Sequence, residues 1–222
     1  MDDARRRYEE AASRLGTPPG ALVDLALLEG REPDRRDDAG KRMAKVARAN
    51  PKDPEVLTRY GLWLIDEGKV GDGRAQCEAA LKIAPEHVLG SLCLGLCALA
   101  EGRAADASPL LSRGLGASPP ASALRAAAFA GLQAGDQALA SRALDLLASS
   151  TSDDPRLHHG QAWLLALRGK WNEALPAARR AAASMAKDAD VALLLGWIER
   201  AVGHKAEAEA AVRRALALKP ES

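Results

Sequence analysis

Residues Ala189 to Pro220 read A-D-V-A-L-L-L-G-W-I-E-R-A-V-G-H-K-A-E-A-E-A-A-V-R-R-A-L-A-L-K-P. Two amphipathic helical runs flank Gly203. Counting Ala189 as position 1, Leu195 and Gly196 fall at 7 and 8, Gly203 at 15, Ala208 at 20, Val212 at 24, Ala215 at 27 and Pro220 at 32. The spacing predicts a helix–turn–helix unit, and the upstream chain carries earlier copies of it.

The turns set the period. Gly68, Gly102, Gly135, Gly169 and Gly203 follow one another at intervals of 34, 33, 34 and 34 residues. A short turn between antiparallel helices needs a residue at positive φ, which glycine adopts without steric cost. Pro51, Pro85, Pro119 and Pro220 stand at position 32, where they end each second helix. This pattern resembles the tetratricopeptide repeat (TPR) family, a helix–turn–helix repeat of about 34 residues. The resemblance implies an all-α, right-handed superhelical solenoid of stacked antiparallel helix pairs. It also implies an interaction scaffold, because the fold hosts many partners and names none of them.

Five repeats are expected over residues 54–87, 88–120, 121–154, 155–188 and 189–222, within one solenoid domain. Residues 20–53 form a degenerate first repeat. Its helices are Ala21 to Glu29 and Asp37 to Ala49, and its charged linker Gly30-Arg31-Glu32-Pro33-Asp34 has no glycine at position 15. Residues 1–19 supply a capping helix and a loop; Ala4, Tyr8, Ala11 and Leu15 make the helix amphipathic. Pro109 and Pro176 both fall at position 22, so those second helices are expected to start late or to bend.

Composition narrows the function classes. Apolar residues make up 47% of the chain and aromatics only 3%, which suits closely packed helices with small contact residues. A net charge of +1 supplies no global field toward nucleic acid or an anionic membrane. The longest apolar run, Val88 to Ala100, is too short to span a bilayer. No secretory signal opens the sequence, so the expected location is the cytoplasm. Cys77, Cys93 and Cys97 are read as small core hydrophobes rather than a disulfide framework or a metal set.

No motif carries chemistry. The Gly68-x-x-Gly71-x-Gly73 string follows no strand and precedes no phosphate-binding lysine, so it is a helical turn. His158-His159 reads as a solvated helix start rather than a ligand pair. The acidic residues scatter as solvated helix faces do. The chain is therefore expected not to be an enzyme, and to need no cofactor or metal.

The informative positions are those that the resemblance places on the inner wall of the solenoid. Position 9 holds Leu62, Leu96, Phe129, Trp163 and Trp197, an unbroken apolar stripe. Arg125 and His159 stand beside it at position 5, and Arg200 at position 12. These eight residues are the candidate partner-binding set. The stripe has two readings: a groove holding an amphipathic helix or apolar peptide, or core filling between neighbouring first helices. Trp63 and Trp171 are read as packing residues. A second function class is a scaffold that associates weakly with itself through an uncapped last helix, where Ala208, Ala211, Val212 and Ala215 would face outward.

Overall fold

A computed structural model describes residues 17–151 and 154–219. The expected helix over residues 3–15 lies outside them. The described residues are helical, with no strand among them. They divide into two compact units, one ending at Ser118 and the other beginning at Pro119.

The first unit holds three helical hairpins: α1 (Pro19–Glu29) with α2 (Arg36–Ala49), α3 (Pro54–Asp66) with α4 (Val70–Ile83), and α5 (Val88–Ala100) with α6 (Ala104–Gly114). The second unit holds three more: α7 (Ala121–Ala134) with α8 (Gln137–Ser150), α9 (Pro155–Leu167) with α10 (Trp171–Ser184), and α11 (Ala189–Ala201) with α12 (Lys205–Leu218).

The turn glycines behave as their chemistry demands. All five lie at positive φ, between 71° and 92°. Aspartates start several first helices. The Asp53 carboxylate accepts hydrogen bonds from the backbone N–H groups of Glu55 and Val56, with Pro54 at the first helical position. Asp154 accepts from the Arg156 N–H ahead of α9, which also opens on proline, and Asp188 accepts from the Asp190 and Val191 N–H groups ahead of α11. Close approach within a hairpin relies on small residues. A Cβ built at Gly95 would lie 2.7 Å from Leu111 Cγ, and one at Gly61 would lie 2.5 Å from Cys77 Sγ.

The core of the first unit gathers on Trp63, which packs with Val23, Met43 and Val56. Gly30 and Gly40 leave room for its indole, and the Arg36 guanidinium stands 4.9 Å from the ring centroid. Trp63 is thus a packing residue, as expected. In the second unit Ala162, Ala174, Ala178, Leu194 and Ile198 form a core cluster with Trp163 and Trp171 against it.

Four expectations are corrected. Cys77 and Cys93 are joined as a disulfide that links α4 to α5, so only Cys97 remains a free thiol. The two sulfurs meet because position 24 of one repeat faces position 6 of the next. Of the two effects expected at Pro109 and Pro176, the late start does not occur: both helices start in the same register as the other second helices. Each proline is solvent-facing, as are Ala105 and Asn172 one turn before, so water can satisfy the carbonyl that loses its partner. Not all acids are solvated. Glu29 is buried and paired with Arg35 and Arg42; Glu199 is buried and paired with Arg179 and His204. Finally, Ala208, Ala211 and Ala215 turn inward, leaving only Val212 of that group exposed.

The second helix of the third hairpin also ends early. α6 stops at Gly114 and gives way to a 3-10 turn over Leu115–Ala117, with Ser118 at φ 49°. The Gly114-Leu115-Gly116 run is poor helix, and Pro119 follows.

A candidate interaction wall on the second unit

Successive first helices α7, α9 and α11 present position 9 at their middle turns. Phe129 is 44% exposed and Trp197 60%, while Trp163 between them is partly buried. Phe129 and Trp163 meet edge to face, with ring centroids 6.1 Å apart. Trp171 meets Trp197 in the same manner at 6.3 Å. Each exposed ring thus has one edge-to-face aromatic neighbour.

Two clefts flank Trp163. One, of about 290 Å³, is bordered by Arg125, Phe129, Leu132, Leu144 and His159. The other, of about 570 Å³, is bordered by Leu193, Leu194, Trp197, Arg200 and Val212. Their lining is mainly apolar, with few polar groups at the edges. A third cleft, of about 400 Å³, runs between α10, α11 and α12 among Arg179, Glu199, Glu207 and Arg214. Its buried carboxylate, Glu199, already has its partners. Burial alone would push the Glu199 carboxyl up; hydrogen bonds from Arg179 and His204 outweigh it and hold the carboxyl below its ordinary range.

The predicted flanking cations differ in what they can do. Arg200 is exposed and has no ion-pair partner among the described residues. Arg125 bonds Asp154 at 2.5 Å, which fixes its guanidinium beside Phe129. His159 departs from the expectation. It is 9% exposed, with its ring centroid 6.0 Å from that of Trp163. Burial lowers its pKa, partly offset by Asp188 and Asp190, so it is neutral at pH 7 and supplies no charge to a partner. Packing under the wall wins over solvation because position 5 turns toward the next first helix. Leu62 and Leu96, the position-9 residues of the first unit, are half-buried.

Leu193 and Leu216 were not among the predicted contacts, yet both are more than half exposed. The signal was present in the repeat register. Thr58 and His159 at position 5 are buried where another hairpin follows in the same unit, and no helix follows α12 among the described residues.

No protein-family profile and no curated protein matches the chain. Solved structures do. YrrB, described as a TPR protein with an unusual peptide-binding site, superposes with a TM-score of 0.65 at 15% identity, over 81% of this chain and 93% of its own. PilW, described as a widely conserved type IV pilus biogenesis factor, gives a TM-score of 0.63 at 18% identity, over 92% and 94%. A tetratricopeptide repeat protein from Parabacteroides merdae gives 0.53 at 18% identity, over 97% and 86%. The chain therefore has the tetratricopeptide-repeat fold, an all-α architecture of repeated helical hairpins. No helix among the described residues is long and apolar enough to cross a membrane.

Proposed function

We propose that the chain is a protein-interaction module whose second unit binds an amphipathic helix or an apolar peptide along Phe129, Trp163 and Trp197. The observation that carries this is the exposure of Trp197 and Phe129, large rings that a core would have buried. Indole and phenyl anchors supply much of the binding energy at interfaces. Arg200, exposed at one end, favours an acidic residue beside the apolar anchors, while Arg125 at the other end is already paired with Asp154 and offers mainly its guanidinium edge. Leu62 and Leu96 are assigned to the same kind of surface on the first unit, with smaller anchors. The peptide-binding site named for YrrB, on a similar fold, is consistent with this use of the architecture.

A library of random peptides, selected on the wild-type chain, tests the proposal. Selected peptides should bind Trp197→Ala about 30-fold more weakly, corresponding to a loss of about 2 kcal/mol. The melting temperature should move little. Unchanged affinity in both Trp197→Ala and Phe129→Ala would remove the wall as the binding surface.

The alternative of self-association through the last helix is narrower than the sequence suggests. Three of its four residues face inward, and the exposed apolar set is Val212, Leu216 and Leu218.

A further inference from the structure

The smaller of the two clefts beside Trp163 has a chemistry of its own. It combines the buried leucines Leu132, Leu144 and Leu147 with Arg125, Arg156 and His159. No acid is among its described lining residues. The larger cleft differs, since Asp190 stands there with Arg200. Each guanidinium of the smaller cleft meets its own carboxylate through one nitrogen. Arg125 Nη1 bonds Asp154, and Arg156 Nη2 lies 3.3 Å from Asp188. A guanidinium carries further N–H donors, so both can still meet a second carboxylate.

His159 is the central polar group of this cleft. It is 9% exposed, borders both clefts and makes no hydrogen bond among the described residues. A buried polar side chain ordinarily has a partner, as His204 has in Glu199 at 2.7 Å. The neutral imidazole has an N–H and a bare nitrogen; protonated, it donates from both and carries a charge. Its surroundings oppose one another. Burial holds the proton off, Asp188 and Asp190 favour it, and Arg156 of the same helix disfavours it. Arg125 of α7 and Arg200 of α11 border the same clefts, whereas α8 and α12 bring only Leu144, Leu147 and Val212 to them.

We propose that the smaller cleft takes the side-chain carboxylate of an Asp or Glu of the partner peptide, set against His159 between Arg125 and Arg156, and holds it more tightly in acid. The methylene groups of such a residue lie on the leucines, and its oxygens face the cations. At pH 7 the arginines alone attract it. As the pH falls the imidazole takes up a proton, and a carboxylate beside it favours that uptake. The bound state then carries more protons than the free one, so affinity rises as the pH drops. The peptide's own carboxylate is protonated only at about pH 4 and does not oppose this. The proposal rests on the wall as the peptide-binding surface and adds to it a chemical preference and a pH dependence.

Random peptides displayed on phage are the probe, selected on the full chain at about pH 5.5 and in parallel at about pH 7.5. The acid selection should be enriched in peptides with Asp or Glu beside apolar residues. One of them, labelled with tetramethylrhodamine, should bind about tenfold more tightly at the lower pH by anisotropy. Circular dichroism at both values checks folding. His159→Gln should leave the affinity at the higher pH within about twofold of wild type and abolish the rise. Changing the peptide's acidic residue to its amide should abolish the rise as well, and His158→Gln in the chain should leave it intact. Acid-selected peptides without an acidic residue, a flat profile, or a rise that survives His159→Gln would overturn the proposal. If Trp197→Ala still weakens binding in those cases, the wall itself stands. Indifference to both Trp197→Ala and Phe129→Ala would remove the wall and this subsite with it.

Discussion

Gly196 of α11 lies directly against Val212 of α12: a Cβ built on the glycine would stand 2.9 Å from Val212 Cγ2 and 3.2 Å from the Ala208 carbonyl oxygen. The last hairpin closes on that contact, and backbone on one side of it cannot yield. Gly196→Leu should therefore cost about 1–3 kcal/mol through overpacking. Urea unfolding of the variant measures it. Wild-type stability would show that the two helices are not held at this separation.

The disulfide makes a count-based prediction. Under denaturing conditions without reductant, a maleimide should label Cys97 alone; after reduction it should label all three cysteines. A bridge across 16 residues is worth about 3 kcal/mol through the unfolded chain. Reduction should accordingly lower the melting temperature. Three labelled thiols before reduction would remove the bridge and return Cys77 and Cys93 to the role of small core hydrophobes.

His159 gives the stability a pH dependence of definite sign. In the unfolded chain its imidazole takes up a proton near pH 6.5. Burial postpones that uptake in the folded chain to lower pH. Between the two values the unfolded state binds more protons, so stability falls as the pH drops below about 6.5 and levels off once the folded ring is protonated. His159→Gln should lose less stability than the wild type between about pH 7.5 and pH 5.5. An NMR titration placing His159 at or above 6.5 would contradict this.

The hairpin register was legible because it rests on local chemistry. Gly68 and its four counterparts turn the chain at positive φ, and the helix bounds of the degenerate first repeat fall within two residues of those read from periodicity. The exposure of Phe129 and Trp197 was one of two open readings, since one position can line a groove or a helix contact. What the sequence hid depends on neighbours distant along the chain. His159 is polar by type but packs beneath Trp163. Glu199 belongs to an amphipathic pattern but finds Arg179 twenty residues earlier and is buried by that pairing. Cys77 and Cys93 lie 16 residues apart, and only the stacking of one hairpin on another brings their sulfurs together.

The central claim is that the aromatic wall stands open to water until a partner covers it. Variants retaining a single indole, at Trp197 or at Trp63, test it through acrylamide quenching of fluorescence. In the free chain Trp197 should be quenched readily and Trp63, buried over Gly30 and Gly40, several-fold less. Adding a peptide selected on the wild-type chain should shield Trp197 and leave Trp63 unchanged. A Trp197 as protected as Trp63 in the free chain, or one still fully quenched when peptide is bound, would contradict the account.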